Sequence, residues 1–142
     1  MKKSELVGYR TAKAEDIPFI FSTWLRVLRY GNKAFKAIPS REYYTEMHKA
    51  IEIVLKGAET VVNVACLRND PDTILGYSVT GPLMLHWVFV KKAWRGIRIG
   101  SDLVPSNIVM VTNTTEAVNK FVEESKLSVQ QMCPINLAQY LR

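Results

Sequence analysis

The sequence predicts an α+β (mixed α/β) fold. Three observations carry that expectation: two early segments place apolar residues at helical spacing, three runs rich in β-branched residues come next with turn signals between them, and a basic, glycine-containing loop leads into further strand and helix signals. With 142 residues and 48% apolar side chains, the chain can form a core by burial alone, and one domain over residues 1–142 is expected.

The elements can be read in chain order. Residues 7–11 alternate and read as a short first strand. Asp16 stands where a helix N-cap belongs and Pro18 suits a first turn, while Ile17, Ile20, Phe21, Trp24, Leu25 and Leu28 recur every three or four residues. Gly31-Asn32 ends that helix. A second begins near Ser40, buries Met47, Ile51, Val54 and Leu55, and stops at Gly57. From Thr60 the period changes. Residues 61–67 read as a strand, Asn69-Asp70-Pro71-Asp72 as a turn, 73–80 as the hairpin partner, Gly81-Pro82 as a break and 83–90 as a third strand, which together predict an antiparallel meander. After Gly100 a short segment containing Pro105 has room for one turn of helix. A strand at 108–111, a helix over about 115–124 capped by Thr114 or Thr115, and a last strand between 128 and 133 complete the pattern.

Nineteen Lys and Arg against 13 Asp and Glu give a formal charge of +6, which favours anionic partners: nucleic acid, an anionic membrane surface or a phosphorylated cofactor. No apolar run approaches the roughly 18 residues that cross a bilayer. The N-terminal Met1-Lys2-Lys3-Ser4-Glu5 lacks the apolar stretch and cleavage site of a signal peptide, so a cytoplasmic protein without membrane contact is expected. Nucleic acid is not the expected partner, because neither a stacking-aromatic motif nor a helix-turn-helix signature accompanies the charge. Cys66 and Cys133 read as small buried hydrophobes. His48 and His86 have no ligands at metal spacing, so no metal is expected.

The chemistry concentrates in residues 88–101, Val-Phe-Val-Lys-Lys-Ala-Trp-Arg-Gly-Ile-Arg-Ile-Gly-Ser. An apolar strand ends at Val90, four cations (Lys91, Lys92, Arg95 and Arg98) surround two glycines, and a helix can start after Gly100 with Ser101 in its first turn. Main-chain N–H groups exposed at such a junction suit phosphate oxygens. Neither a Walker A ending nor the spacing of a dinucleotide-binding fingerprint is present. Spacing alone leaves two readings open, a diphosphate cradle and a basic surface turn whose glycines permit positive φ.

This stretch resembles the GNAT superfamily of acetyl-CoA-dependent N-acetyltransferases, in which a strand ending in Val leads into Arg/Gln-x-x-Gly-x-Gly/Ala. Here the corresponding residues are Val90, Trp94 and Arg95-Gly96-Ile97-Arg98-Ile99-Gly100. Asp16-Ile17-Pro18 and Ile74-Leu75-Gly76-Tyr77 also look like the family's opening helix and third strand, so the likeness covers most of residues 7–126. It implies a central, mostly antiparallel twisted sheet flanked by helices, acetyl-CoA as cosubstrate and direct transfer of an acetyl group to an amine acceptor, small molecule or protein. It further implies that the backbone at Phe89 and Val90 runs beside the pantetheine arm. Gly96, Ile97, Arg98, Ile99, Gly100 and Ser101 would hold the pyrophosphate, and Lys91, Lys92 and Arg95 would reach the phosphorylated adenosine end.

The sequence departs from the family in three ways. Arg98 replaces the middle glycine, the helix after Gly100 is short, and alignment on Ala117 puts Thr114 at the usual Asn and Phe121 at the usual proton-donating Tyr. A Phe donates no proton, so the alternative reading is a catalytically weakened GNAT-like CoA-binding or protein-interaction module. For the acceptor's proton the candidate base is His86, which strand alternation places on one face with Met84, Val88 and Val90; a half-buried structural histidine fits the same position. Tyr77 and Glu59 are further candidates, and His48 is expected on an exposed helix face. In the family layout Trp24, Tyr30, Tyr43 and Tyr44 adjoin the acceptor side, with core packing the simpler role for Trp24. Arg26, Arg29, Lys33 and Lys36 would make that side basic, which favours an acidic acceptor. The short C-terminal region leaves the family's last strands incomplete, and a homodimer could complete the sheet.

Overall fold

The structure, a computed structural model, describes residues 2–113, 115–124 and 130–131. Its elements are β1 (Val7–Thr11), α1 (Ile17–Tyr30), the single-turn α2 (Lys33–Lys36), α3 (Ser40–Leu55), β2 (Val61–Leu67), β3 (Asp70–Gly81), β4 (Met84–Val90), α4 (Ile99–Leu103), β5 (Met110–Val111), α5 (Glu116–Glu124) and β6 (Gln130–Gln131). The strands form one sheet in the order β1-β2-β3-β4-β5-β6. The first four pair antiparallel, and β5 and β6 join in parallel. The expected α+β class and mostly antiparallel sheet are what the chain adopts, and β6 falls inside the segment expected as the last strand.

The helical stripes cover one face of the sheet. Ile20, Trp24 and Leu28 of α1 and Tyr43, Met47, Ile51 and Val54 of α3 pack on Val64, Tyr77, Val79, Leu85 and Trp87. Trp24 and Trp87 stack with their ring planes 4° apart and centroids at 5.9 Å, so Trp24 is a core residue. Strand alternation sends Val7, Ala65 and Leu75 to the opposite face, where they meet Ile99 and Leu103 of α4. A five-residue helix does not persist alone. Burying Ile99 and Leu103, at about 1.5–3 kcal/mol each, holds α4 on the sheet. Two hydrogen bonds then fix it: Ser78 Oγ donates to the Leu103 carbonyl at 2.9 Å, and Tyr9 Oη donates to Asp102 Oδ2 at 2.7 Å.

Local details differ from the sequence expectations. Asp16 precedes α1, but its buried carboxylate does not cap that helix. It accepts two hydrogen bonds from the Arg10 guanidinium, at 2.6 and 3.0 Å, and one from the Lys13 N–H at 2.7 Å, tying β1 to the start of α1. Arg10 holds the Asp16 carboxyl below the usual carboxylate range. The turn expected at 69–72 is shorter, since Leu67 already pairs with Asp70. Pro71 lies inside β3, where the register with β2 shifts and its missing N–H costs no rung of the ladder. At α5, Thr115 Oγ1 accepts from the Val118 N–H at 3.1 Å, which makes Thr115 the cap. Thr114 lies outside the described residues, as does Cys133, while Cys66 is buried and free.

Gly76 sits between β2 and β4, paired with Ala65 and Val90. A Cβ there would stand 2.5 Å from the Phe89 carbonyl oxygen, a main-chain atom that cannot move without the strand. Gly76→Ala is expected to destabilise the protein by about 1–3 kcal/mol, the usual cost of overpacking, read as a lower urea midpoint at unchanged m-value.

Candidate functional site: a cleft where two parallel strands part

The site begins with an extra residue in β4. Val79 pairs with Trp87 and Thr80 with Leu85, leaving His86 unmatched as a bulge. The bulge breaks the alternation expected for this strand: Leu85, His86, Trp87 and Val88 are all buried, and His86 does not share a simple face with Met84 and Val90. On the other side, β5 pairs with β4 only at Met84–Met110 and Leu85–Val111. Among the described residues, the last main-chain rung is the Thr112 N–H donating to the Leu85 carbonyl at 3.1 Å. Beyond it the strands separate.

The separation leaves a main-chain edge uncovered. The Lys91 N–H donates to the Leu75 carbonyl of β3 at 2.8 Å, so alternation turns the polar groups of Val90 and Val88 away from β3, toward the gap. A cavity of about 540 Å³ opens there. Along β4 the lining runs from Trp87 and Val88 into the loop that carries Arg95, Gly96, Arg98, Gly100 and Ser101, with Val27, Val118, Lys120 and Phe121 from neighbouring elements beside it. Phe89, Val90 and Ile99 also line it.

The loop after β4 has two residues in the left-handed region, Gly96 at φ 85° and Arg98 at φ 73°. Gly96 has open space where a Cβ would stand, so the backbone angle alone calls for glycine. At Arg98 the same region costs about 1–2 kcal/mol for a residue with a Cβ. Among the described residues, no hydrogen bond is donated by the main-chain N–H groups of residues 96–101. Gly100 lies under the Phe121 ring, whose Cε1 would be 3.0 Å from a Cβ there. The exposed Arg95 folds back, its Nε donating to the Val90 carbonyl at 3.0 Å. Lys91 places its ammonium 5.5 Å from the centre of the Phe19 ring.

Lys120 escaped the sequence reading. It joins the cavity lining from α5, whose Phe121 packs on Gly100, and its one sequence signal was adjacency to Phe121. Its ion pair with Glu124 is 3.9 Å long, with both side chains largely exposed, which leaves the ammonium available to an anion.

The two expected catalytic side chains do not line this cavity. The Tyr77 hydroxyl is fully buried; it donates to the Ile20 carbonyl at 3.1 Å, accepts from Trp87 Nε1 at 3.2 Å and lies 2.7 Å from Thr23 Oγ1. Burial pushes its pKa up, so the phenol stays protonated. His86 is buried beside the cleft, with Nδ1 at 3.1 Å from Thr112 Oγ1 and Nε2 facing Gly81. Glu59 is exposed, and the exposed His48 stacks on Phe21 at 4.4 Å. On the helical side, Tyr43 is buried and Tyr30 is 63% exposed. Arg29 is committed within the protein, donating from Nη2 to the Ile38 carbonyl at 3.1 Å and lying over Tyr43 and Tyr44. Arg26, Lys33 and Lys36 are exposed.

Known structures share this architecture. A proposed acetyl transferase from Pyrococcus furiosus superposes with a TM-score of 0.59 and 18% identity, over 88% of this chain and 80% of its own. The apo form of YjaB from Escherichia coli does so with a TM-score of 0.54 and 16% identity, over 84% and 80%. The fold is the GNAT fold. No protein-family model matches the sequence, and no curated protein matches it. Among the described residues, no helix of this GNAT-fold chain is long and apolar enough to cross a membrane.

Burial lowers the His86 pKa from 6.5 to about 4, so its ring is neutral in the folded state at neutral pH. Because the unfolded chain takes up the proton first, stability is unaffected above the unfolded value and falls as the pH drops from 6.5 toward 4. The loss amounts to about 3 kcal/mol when complete. His86→Gln is expected to flatten this part of the stability profile, measured by urea unfolding at pH 7 and pH 4.5.

Proposed function

We propose that this chain binds acetyl-CoA in the cleft beside β4 and transfers the acetyl group directly to an amine acceptor. The observation that carries this reading is the main-chain edge of Val88 and Val90, which no strand covers among the described residues and of which only the Val90 carbonyl is held, by Arg95; it runs into a loop whose N–H groups are undonated among those residues and whose side chains are cationic. A ligand with an amide-bearing arm and a diphosphate matches both halves of that surface. The edge at Val88 and Val90, rather than at the expected Phe89, whose main chain faces β3, would pair with the arm as an added strand does. Residues 96–101 would hold the diphosphate, with Arg98, Lys120 and the free guanidinium nitrogens of Arg95 adding charge. The expected Lys91 and Lys92 do not line the cavity, and the Lys91 ammonium lies over Phe19, so no ligand contact is assigned to them.

When bound, the thioester supplies an electrophilic carbonyl and a sulfur leaving group. The protein's own part is to orient and to exclude water, with Trp87, Val118 and Phe121 among the apolar side chains that line the cleft. In this reading Tyr77 and His86 shape the cleft from behind, since the phenol is occupied by three partners and the imidazole sits between Thr112 and Gly81. The acceptor's proton then leaves to water. A second reading, a CoA-binding module without rapid transfer, draws on Phe121, which offers no proton to the departing sulfur.

Isothermal titration is expected to give a micromolar Kd for acetyl-CoA, weakened at least tenfold by Arg95→Ala and by Gly100→Trp, whose indole would displace the Phe121 ring. No binding by the wild-type protein overturns the proposal. Thiol release with a panel of amines then separates the two readings, because binding without release favours the module.

A further inference from the structure

The β4–β5 ladder does not simply stop at Thr112. Among the described residues, the next contact is made by a side chain: Asn113 Nδ2 donates to the His86 carbonyl at 2.8 Å. The bulge explains why that carbonyl needs a partner. Because His86 is the extra residue, its carbonyl and that of Leu85 both face β5. A side-chain amide reaches farther from its own backbone than a main-chain N–H does, so a rung of this kind satisfies the carbonyl while holding the strands apart.

We propose that Asn113 is the positioning residue that sets the opening of the cleft, a reading that rests on acyl-CoA binding there. Its placement favours a role in shaping the cleft over one in stability. The residue is only 2% exposed, and Nδ2 also reaches Thr112 Oγ1 at 3.1 Å, yet Oδ1 has no hydrogen-bond partner among the described residues. A buried acceptor without a donor is a standing cost to the folded state. The amide also touches the group that orients His86, because Thr112 Oγ1 contacts His86 Nδ1. One side chain therefore fixes the bulge, its carbonyl and the angle at which Val88 and Val90 present their edge.

The test compares two ligands that share the phosphorylated end. CoA carries the pantetheine arm that the Val88 and Val90 edge would pair with; adenosine 3′,5′-bisphosphate lacks it. Isothermal titration of wild type, Asn113→Ala and Asn113→Asp is expected to show CoA affinity falling at least tenfold in both variants, with affinity for the bisphosphate changed less than twofold. Asn113→Asp keeps the size but replaces the donor by a carboxylate facing the His86 carbonyl, and it carries the test if the alanine variant does not fold. Equal losses for both ligands, or no loss of CoA affinity, overturn the role of Asn113. Failure of wild type to bind CoA overturns instead the acyl-CoA reading on which the role rests.

Discussion

The hydrogen bond from the Thr112 N–H to the Leu85 carbonyl is the hinge on which the site depends. A parallel pair ordinarily continues until a strand ends, with evenly spaced bonds along both edges. Here β4 continues for five residues beyond Leu85, to Val90, while β5 has already left. The interior of a sheet thereby gains a free main-chain edge without exposing a long outer strand. Such edges attract other strands, and this one is recessed in a cavity with α5 beside it, so a narrow arm can reach it more readily than a second protein chain.

The recessed edge has value only if the loop and helix after it are held still. Five residues of α4 would fray without support, and three independent attachments prevent it: the burial of Ile99 and Leu103, the Ser78 bond to the Leu103 carbonyl and the Tyr9 bond to Asp102. The loop before α4 inherits that rigidity. Its strained Arg98 and its unpaired N–H groups persist because both ends of the segment are anchored, at Arg95 through the Val90 carbonyl and at Ile99 through the core.

Much of this was legible in the sequence because the relevant forces are local or periodic. The stripe from Ile20 to Leu28, the β-branched runs and the glycines of the basic loop each announce themselves over a few residues. The bulge did not, since His86 becomes an extra residue only through the registers of two neighbouring strands, and with it failed the expectation that β4 alternates. The carboxylate of Asp16 was misread for a related reason: a cap and a salt bridge ask for the same residue, and only the arrival of Arg10 from β1 decides between them. Lys120 and Asn113 were invisible as site residues because their importance comes from where α5 and β5 lie, not from their neighbours in the chain.

Phe121 joins these threads. A tyrosine there would offer a proton, but the ring also packs on Gly100, at a distance that leaves no room for a Cβ without a shift. Trp87 and Val88 line the cavity from β4, and Arg95 and Arg98 line it from the loop that follows that strand. For a ligand with an apolar arm and a charged end, reversal would strand phosphate charges among apolar side chains. That costs several kcal/mol per ion even after relaxation, more than the arm recovers at about 25 cal/mol per Å² of apolar burial. Orientation is therefore set by the wall of the cleft before any contact with a reacting atom is made.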